Sequence, residues 1–203
     1  LEAVHQLAAS GKTVAVGHSA AAGAVVHAAW EAGASAVTHL FNAQSALHHR
    51  EPGVPGVAID DERVLLTIIV DGHHLAPEVV RLVFAAAPGR VALITDAIAA
   101  TGLGDGAAAL GDRTVTVQGS EARLADGTLA GSVLTMDQAV RVAVESGVAL
   151  DAALTAATAT PARRLGDAVP HDLAVGRLAD VVVLDAALAV QRTLRRGSEV
   201  FSL

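Results

Sequence analysis

Short runs of β-branched and apolar residues alternate with Ala-rich stretches along the first half of the chain. We predict strands at four of these runs: Thr13–Val16, Ser35–Thr38, Val64–Val70 and Val91–Thr95. We predict helices at three stretches around them: Leu1–Ser10, Ala20–Ala32 and Pro77–Ala87. The run VLLTIIV is apolar and continuous, which is typical of a strand buried on both faces. Repeated strand–helix–strand order predicts parallel pairing with right-handed crossovers, and therefore an α/β fold.

The pattern changes in the second half of the chain. We interpret Gly104–Gly111 as a loop rich in Gly and Ala, followed by short antiparallel strands at Thr114–Val117 and Ala122–Leu124. Asp126 and Gly127 then form a turn signal. The remaining predicted elements are helices at Met136–Ser146 and Leu150–Thr158, a short helical piece opening at Pro161, and strands at Asp180–Leu184 and Val190–Leu194. The last two strands lie outside the strand–helix alternation.

Composition narrows the possible classes of function. The 203 residues are 52% hydrophobic, with a net charge of −7 and 2% aromatics, so nucleic-acid binding is disfavoured. Cysteine is absent, which excludes disulfides and thiol catalysis and fits a cytoplasmic protein. We identify no apolar run long enough for a membrane span and no signal-peptide pattern at the start. The length suits one domain with a real core but is short for a closed (β/α)₈ barrel, which needs about 250 residues.

Each of the four predicted strands is followed at once by residues with catalytic or ligand chemistry. These segments are Gly17-His18-Ser19, His39, Asp71-Gly72-His73-His74 and Asp96. In a parallel α/β fold such positions share the face at the carboxyl ends of the strands, where barrel enzymes build their sites. One strand–helix–strand step separates His18 from His39, so both should lie on adjacent strands and can share a metal ion.

The residue types at this face suit a hydrolytic metal site. Neutral imidazoles with a carboxylate suit Zn²⁺ and similar divalent ions, which activate a bound water. Asp96 is placed to accept the proton of that water and to pass it to a leaving group. A lone histidine at a strand end more often serves only as a hydrogen-bonding residue. Two histidines on neighbouring strands, with an Asp two strands later, support metal binding and a purely hydrogen-bonding role about equally.

Several segments carry a resemblance to a known family. They are VGHS (Val16–Ser19), THLFNAQSALHHREPGVPG (Thr38–Gly56), DGHHL (Asp71–Leu75), TDAIAATG (Thr95–Gly102), LADGTLAGS (Leu124–Ser132) and GRLADVVVLD (Gly176–Asp185). Together they closely resemble the N-acetylglucosamine-6-phosphate deacetylases of the amidohydrolase superfamily. The resemblance covers nearly the whole chain, and the long segment beginning at Thr38 is its most specific part.

The resemblance implies a reaction and a set of roles. The reaction is hydrolysis of the N-acetyl group of N-acetylglucosamine 6-phosphate, which gives glucosamine 6-phosphate and acetate. His18 and His39 match metal ligands, for Zn²⁺ first and Fe²⁺ or another divalent ion as alternatives, and Asp96 matches the catalytic acid/base. Substrate-binding roles are implied for seven residues: Asn42, Ala43, Arg50, His74, Leu129, Ala130 and Gly131. The resemblance also implies a homodimer whose partner chain helps to bind phosphate.

The resemblance also implies an incomplete (β/α)₈ TIM-type barrel. On this expectation residues 1–168 form about strands five to eight of the barrel, and residues 169–203 form the C-terminal strands of a small β-sandwich. The third metal ligand of the family is a Glu on an earlier strand, which no residue before His18 can supply. Gln44 and Ala46 replace a Met and a Pro common in the family. We therefore expect activity to require a missing N-terminal half.

Two alternatives remain open at this point. The first is another amidohydrolase, such as a dihydroorotase-like or adenine deaminase-like enzyme. A role of Arg50 in phosphate binding would distinguish a sugar-phosphate deacetylase from these enzymes. The second is a truncated, inactive product or an interaction module that keeps a relict site. A metal titration separates this second alternative, because two histidines without the Glu should bind a metal ion weakly.

Overall fold

The structure is a computed structural model, and it describes residues 1–166 and 172–203. The predicted domain boundary between residues 168 and 169 lies outside the described residues. The helices are α1 Glu2–Ala9, α2 Gly23–Glu31, α3 Gly53–Asp60, α4 Pro77–Ala86, α5 Met136–Glu145, α6 Leu150–Ala157 and α7 Ala159–Leu165. The strands are β1 Ala15–Val16, β2 Ala36–Val37, β3 Leu65–Ile69, β4 Val91–Ile94, β5 Gly106–Leu110, β6 Arg113–Gln118, β7 Glu121–Arg123, β8 Val181–Leu184, β9 Val190–Arg195 and β10 Ser198–Ser202.

The first four strands form one parallel sheet in the order β1-β2-β3-β4. Ala15 pairs with Ala36, and Ala36 in turn with Leu65, so the strands run side by side in chain order. The continuous apolar run predicted to be buried is indeed the centre of the core, since Leu66 and Ile68 in β3 are fully buried. The sheet has the parallel α/β character that the alternating pattern predicts, and it brings four strand ends to one edge.

Helices cover this sheet with small and β-branched side chains. Val26 and Trp30 of α2, Val54 of α3, and Val80 and Val83 of α4 are each at most 3% exposed in the same core cluster. With only three Phe and one Trp in the chain, the core depends on many small contacts. Burial of this kind stabilises by about 25 cal/mol per Å² of apolar surface.

A second, antiparallel sheet with the order β5-β6-β7 is inserted after β4. Its own small core contains Ala100, Val117 and Ala122. The chain leaves this insert next to the point where it entered, because Ala97 and Ser132 form an isolated parallel bridge. The insert therefore projects from the carboxyl end of β4, beside the strand ends that carry the candidate chemistry.

The third sheet, β10-β9-β8, is formed by the end of the chain. Its residues are at most half-buried, and Phe201 is 45% exposed although it is large and apolar. The side chain of Arg141 in α5 donates to the carbonyl of Leu188 at 2.9 Å, which ties this sheet to the helical layer. No helix in the described ranges is long and apolar enough to cross a membrane.

Three elements differ from the sequence prediction. The prediction of a loop at Gly104–Gly111 is wrong over most of that stretch, because Gly106–Leu110 forms strand β5. Its Ala residues have low intrinsic strand propensity, and the strand exists because all five residues pair with β6. Helix α3 was not predicted, and neither was strand β10.

Helix α3 forms against its local propensity. Its sequence GVPGVAID contains two Gly and one Pro, yet five of its eight residues are buried. At and beyond its end, the guanidinium of Arg90 donates to four backbone carbonyls, those of Ala58, Ile59, Asp61 and Val64, at 2.6–3.4 Å. Burial and the hydrogen bonds from Arg90 to the last carbonyls compensate for the low helix propensity of this sequence.

Candidate active site

His18 and His39 lie at the ends of β1 and β2 and meet through their side chains. The two Nε2 atoms are 2.9 Å apart, and the rings are nearly perpendicular, with an interplanar angle of 79°. The pairing of Val16 with Val37 places the two following segments side by side, as the sequence predicted. His39 is 5% exposed, whereas His18 is open to solvent. His39 is therefore held in the core, whereas His18 faces the solvent.

The donor set fits a divalent metal ion. Imidazole nitrogens bind Zn²⁺ at about 2.0–2.1 Å, so two nitrogens that already converge can share one ion. The Nδ1 atom of His39 is buried and has no hydrogen-bond partner within residues 1–166 and 172–203. A second observation limits the site: no group of three or more His, Cys, Asp or Glu residues in those ranges could hold a metal ion. His18 and His39 are therefore a pair of candidate ligands, without a third His, Cys, Asp or Glu grouped with them in those ranges.

The backbone at these strand ends is held in a conformation that side chains rarely adopt. His18, His39 and Asp96 have φ of 45°, 35° and 50°, in the left-handed region that favours glycine. Such residues cost about 1–3 kcal/mol each and concentrate at functional sites. At His39 the surroundings hold the strain, because Thr67 accepts from the backbone N–H of His39 at 3.0 Å and donates to the carbonyl of Val37 at 2.9 Å.

Asp96 follows β4 directly, and its side chain is exposed to solvent. It therefore shares the carboxyl-end edge with the two histidines, two strands away from His39. An exposed carboxylate at this edge can exchange a proton with a substrate or a water molecule that enters the site.

His74 is oriented by a buried carboxylate at the end of β3. Asp71 accepts from the backbone N–H groups of His73 and His74, both at 2.9 Å, and from the Nδ1 of His74 at 2.7 Å. Burial alone would raise the pKa of Asp71, but the ring and backbone donors of His74 and the backbone of His73 outweigh it and hold the pKa at about 2. With Nδ1 engaged by a carboxylate, Nε2 is the ring nitrogen of His74 that is left for a further partner.

The segment after His39 is a tight turn. Asn42 donates from its backbone to the His39 carbonyl at 2.9 Å, and Ala43 has a left-handed φ of 51°. Gln44, which replaces the family's Met, accepts from the backbone of Phe41 and donates to the carbonyl of Thr38 at 2.8 Å. The replacement thus contributes two hydrogen bonds to this turn.

Arg50 lies on the exposed loop that follows the turn. Its Nη1 is 2.8 Å from the Nε2 of His49, and the rings of His48 and His49 pack against each other. Glu51 fixes the end of the loop, since its carboxylate accepts from the backbone N–H of Gly23 at 2.7 Å. In the described ranges the side chain of Arg50 hydrogen-bonds to His49 within this loop and makes no hydrogen bond to His18 or His39.

The segment Leu129–Gly131 returns from the insert and packs against Asp96. Ala130 donates to the Ala122 carbonyl at 2.9 Å, which anchors the segment to β7. Gly131 has φ of 65°, and a Cβ there would lie 2.6 Å from the side chain of Ile98 and 2.9 Å from the carbonyl oxygen of Asp96. Only glycine allows this approach. The structure thus brings together Asp96 and a segment 33 or more residues further along the chain.

Sequence reasoning missed residues that act on this site through backbone contacts. Thr67, Glu51 and Ser132 each hold a strand end or a site loop, as the hydrogen bonds at His39, Gly23 and Asp96 show. Their partners lie 28–37 residues away in sequence. The available signals were the positions of Ser132 and Glu51 within two of the quoted segments, LADGTLAGS and THLFNAQSALHHREPGVPG.

Comparison with known proteins gives consistent matches over the chain. It is 42% identical over 199 residues to the N-acetylgalactosamine-6-phosphate deacetylase of Escherichia coli O157:H7, covering 97% of this chain and 53% of that protein. It is 44% identical over 161 residues to a putative N-acetylgalactosamine-6-phosphate deacetylase of Escherichia coli K12, covering 78% of this chain and 96% of that protein. No protein-family model matches the chain.

A solved structure agrees in fold as well as in sequence. N-acetyl-D-glucosamine-6-phosphate deacetylase of Mycobacterium smegmatis, a mutant in complex with N-acetyl-D-glucosamine-6-phosphate, superposes with a TM-score of 0.92 at 42% identity. The match covers 99% of this chain and 54% of that one, so the chain spans about half the length of most relatives described here.

The parallel sheet with its histidines and Asp96 at the strand ends, together with this superposition, defines an α/β fold of the amidohydrolase type. Within that class, the 40% identity over 98% of this chain to the N-acetylglucosamine-6-phosphate deacetylase of Danio rerio, and the 42% identity to the solved Mycobacterium smegmatis enzyme, decide the assignment. The chain belongs to the N-acetylglucosamine-6-phosphate deacetylase family.

Proposed function

We propose that the protein carrying this chain hydrolyses the acetamido group of N-acetylglucosamine 6-phosphate to glucosamine 6-phosphate and acetate. The observation that carries the proposal is the pair of converging Nε2 atoms of His18 and His39, with Asp96 at the same edge of the sheet. The family supports the reaction class, because the solved relative holds the same amino-sugar phosphate.

The mechanism assigns a task to each residue of the site. His18 and His39 would hold a divalent ion, which would supply Lewis acidity and lower the pKa of a bound water. Asp96 takes the proton of the attacking water and delivers it to the amine nitrogen as the C–N bond breaks. His74, oriented by Asp71, presents Nε2 to the substrate near the reacting carbonyl.

The remaining proposed residues hold the sugar phosphate. Arg50 binds the phosphate with the forked donors that suit that anion, together with Asn42 and Ala43 of the turn after His39. The segment Leu129–Gly131 covers the sugar. These roles follow from the family resemblance, and the exposure of Arg50 on its loop leaves it accessible to an anion.

We also propose that the parallel sheet is one half of a (β/α)₈ barrel. Its four strands lie in chain order with β1 and β4 at the two edges in the described ranges, an arrangement that four further strands would close. The expected third metal ligand would come from those strands, and the C-terminal sheet would belong to the small β-sandwich. The match over about half of the first relative's length supports this arrangement.

A second substrate is favoured by a specific observation. Two of the relatives, at 42% and 44% identity, are described as N-acetylgalactosamine-6-phosphate deacetylases. This sugar differs from N-acetylglucosamine in the configuration at one carbon, and it keeps both the phosphate and the acetamido group. The ratio of kcat/KM for the two sugar phosphates decides between them.

The test uses the full-length protein with either sugar phosphate as substrate. Asp96→Asn should lower kcat by about 10²-fold or more, the size typical of an acid/base residue, while metal content stays unchanged. Asp60→Asn, an exposed Asp at the end of α3, is the matched control and should leave kcat unchanged. Normal turnover by Asp96→Asn would contradict the mechanism, and normal phosphate-sugar KM in Arg50→Ala would contradict the substrate class.

A further inference from the structure

Ser132 holds the backbone on both sides of the Asp96 α-carbon. It is 1% exposed and follows directly on the sugar-covering segment Leu129–Gly131. Its backbone N–H donates to the carbonyl of Asp96 at 2.8 Å, and its hydroxyl donates to the carbonyl of Thr95. The same hydroxyl accepts from the backbone N–H of Leu134 at 3.1 Å, so each of its hydrogen-bonding roles is used.

Asp96 depends on such support. Its φ of 50° is unfavourable for a residue with a side chain, and its carboxylate makes no hydrogen bond within the part of the chain that the structure describes. No side-chain hydrogen bond therefore fixes the carboxylate there, and its direction follows the backbone. The carbonyls of Thr95 and Asp96 set that backbone, and Ser132 binds both of them.

The contact also joins two parts of the site. Gly131 approaches the Asp96 carbonyl so closely that a Cβ would lie 2.9 Å from it, and Ile98 donates back to the carbonyl of Ser132 at 2.9 Å. Because these contacts are short and surround Asp96, a displacement of the sugar-covering segment would displace Asp96 as well.

We propose that Ser132 is a positioning residue for Asp96. Through Ser132, the proposed acid/base and the sugar-covering segment would move together. The inference rests on the proposed role of Asp96 in deacetylation. It implies that loss of the Ser132 hydroxyl harms turnover more than substrate binding, because the carboxylate is displaced from the reacting nitrogen.

Ser132→Ala in the full-length protein tests the proposal. A misplacement of about 1 Å can cost up to about 10²-fold, so kcat should fall about 10- to 100-fold while KM changes less than about threefold. Ser146→Ala is the matched control, because Ser146 is 5% exposed and its hydroxyl likewise donates to a carbonyl, that of Val142 at 2.7 Å. It should lose similar thermal stability with unchanged kcat.

The outcomes separate the inference from the proposed function. A kcat for Ser132→Ala equal to that of the Ser146→Ala control, or a raised KM with normal kcat, overturns the positioning role. If Ser132→Ala does not fold, Ser132→Cys keeps a similar shape with a slightly larger and weaker donor atom, and its kcat should also fall below that of the wild type. Failure of the proposed function shows differently, as an Asp96→Asn variant with normal turnover.

Discussion

The buried pair of Asp71 and His74 gives a stability prediction with a definite pH dependence. The pKa of Asp71 is held at about 2 against an ordinary value of 3.8. At about 1.36 kcal/mol per pKa unit, this shift corresponds to about 2 kcal/mol of stability at pH 7. The side chain of Asp71 is 4% exposed, so solvent screening reduces this contribution little.

Asp71→Asn removes the charge but keeps much of the geometry. The amide oxygen can still accept from the backbone of His73 and His74, whereas the amide NH₂ faces a ring nitrogen that now lacks its carboxylate. We expect the free energy of unfolding to fall by about 2 kcal/mol at pH 7, which for a chain of this length lowers Tm by about 4–8 °C. Thermal unfolding followed by circular dichroism measures it.

The pH profile identifies the cause. Because the folded-state pKa is depressed, the stabilisation is complete above the unfolded value of 3.8 and is lost as pH falls toward 2. The difference in the free energy of unfolding between wild type and Asp71→Asn should have its full size at pH 5 and about half that size at pH 3. Asp185→Asn is the control, since the exposed Asp185 also accepts from two backbone N–H groups, those of Ala187 and Ala189. A gap that does not change with pH, or an equal loss in the control, would refute the reasoning.

Two further substitutions test contacts that hold the fold and the site. Arg90→Lys should cost about 2–4 kcal/mol in urea unfolding, because one ammonium cannot reach the four carbonyls that the guanidinium binds, while exposed Arg113→Lys should cost little. Gly131→Ala should lower both Tm and kcat, because its Cβ would clash with the Asp96 carbonyl. Gly127→Ala, with φ of 85° and open space around it, should lower Tm alone, and equal kcat values in the two variants would contradict this reading.

The strand ends could be predicted because their signal is local. Apolar runs such as Val64–Val70 define strands, and in a parallel sheet their ends must share one edge. That edge carries His18, His39 and Asp96, as the sequence indicated. The assignment of their chemistry depended on the resemblance, since a histidine after a strand is compatible with several roles.

The elements that sequence reasoning missed exist through distant contacts. Strand β5 is a run of small residues with little strand propensity, and it forms by pairing along its whole length with β6. Helix α3 needs Glu51 near its start and Arg90 beyond its end. The hold of Ser132 on Asp96 joins positions 36 residues apart through main-chain carbonyls, which no local pattern of side chains encodes.

The left-handed backbone at His18, His39 and Asp96 has an evolutionary consequence. Glycine adopts this conformation at no steric cost, so replacement by glycine would relieve about 1 kcal/mol of strain at an exposed position such as Asp96. A library of random variants ranked only by heat resistance would therefore be enriched in glycine at such a position, although we propose that Asp96 is needed for catalysis.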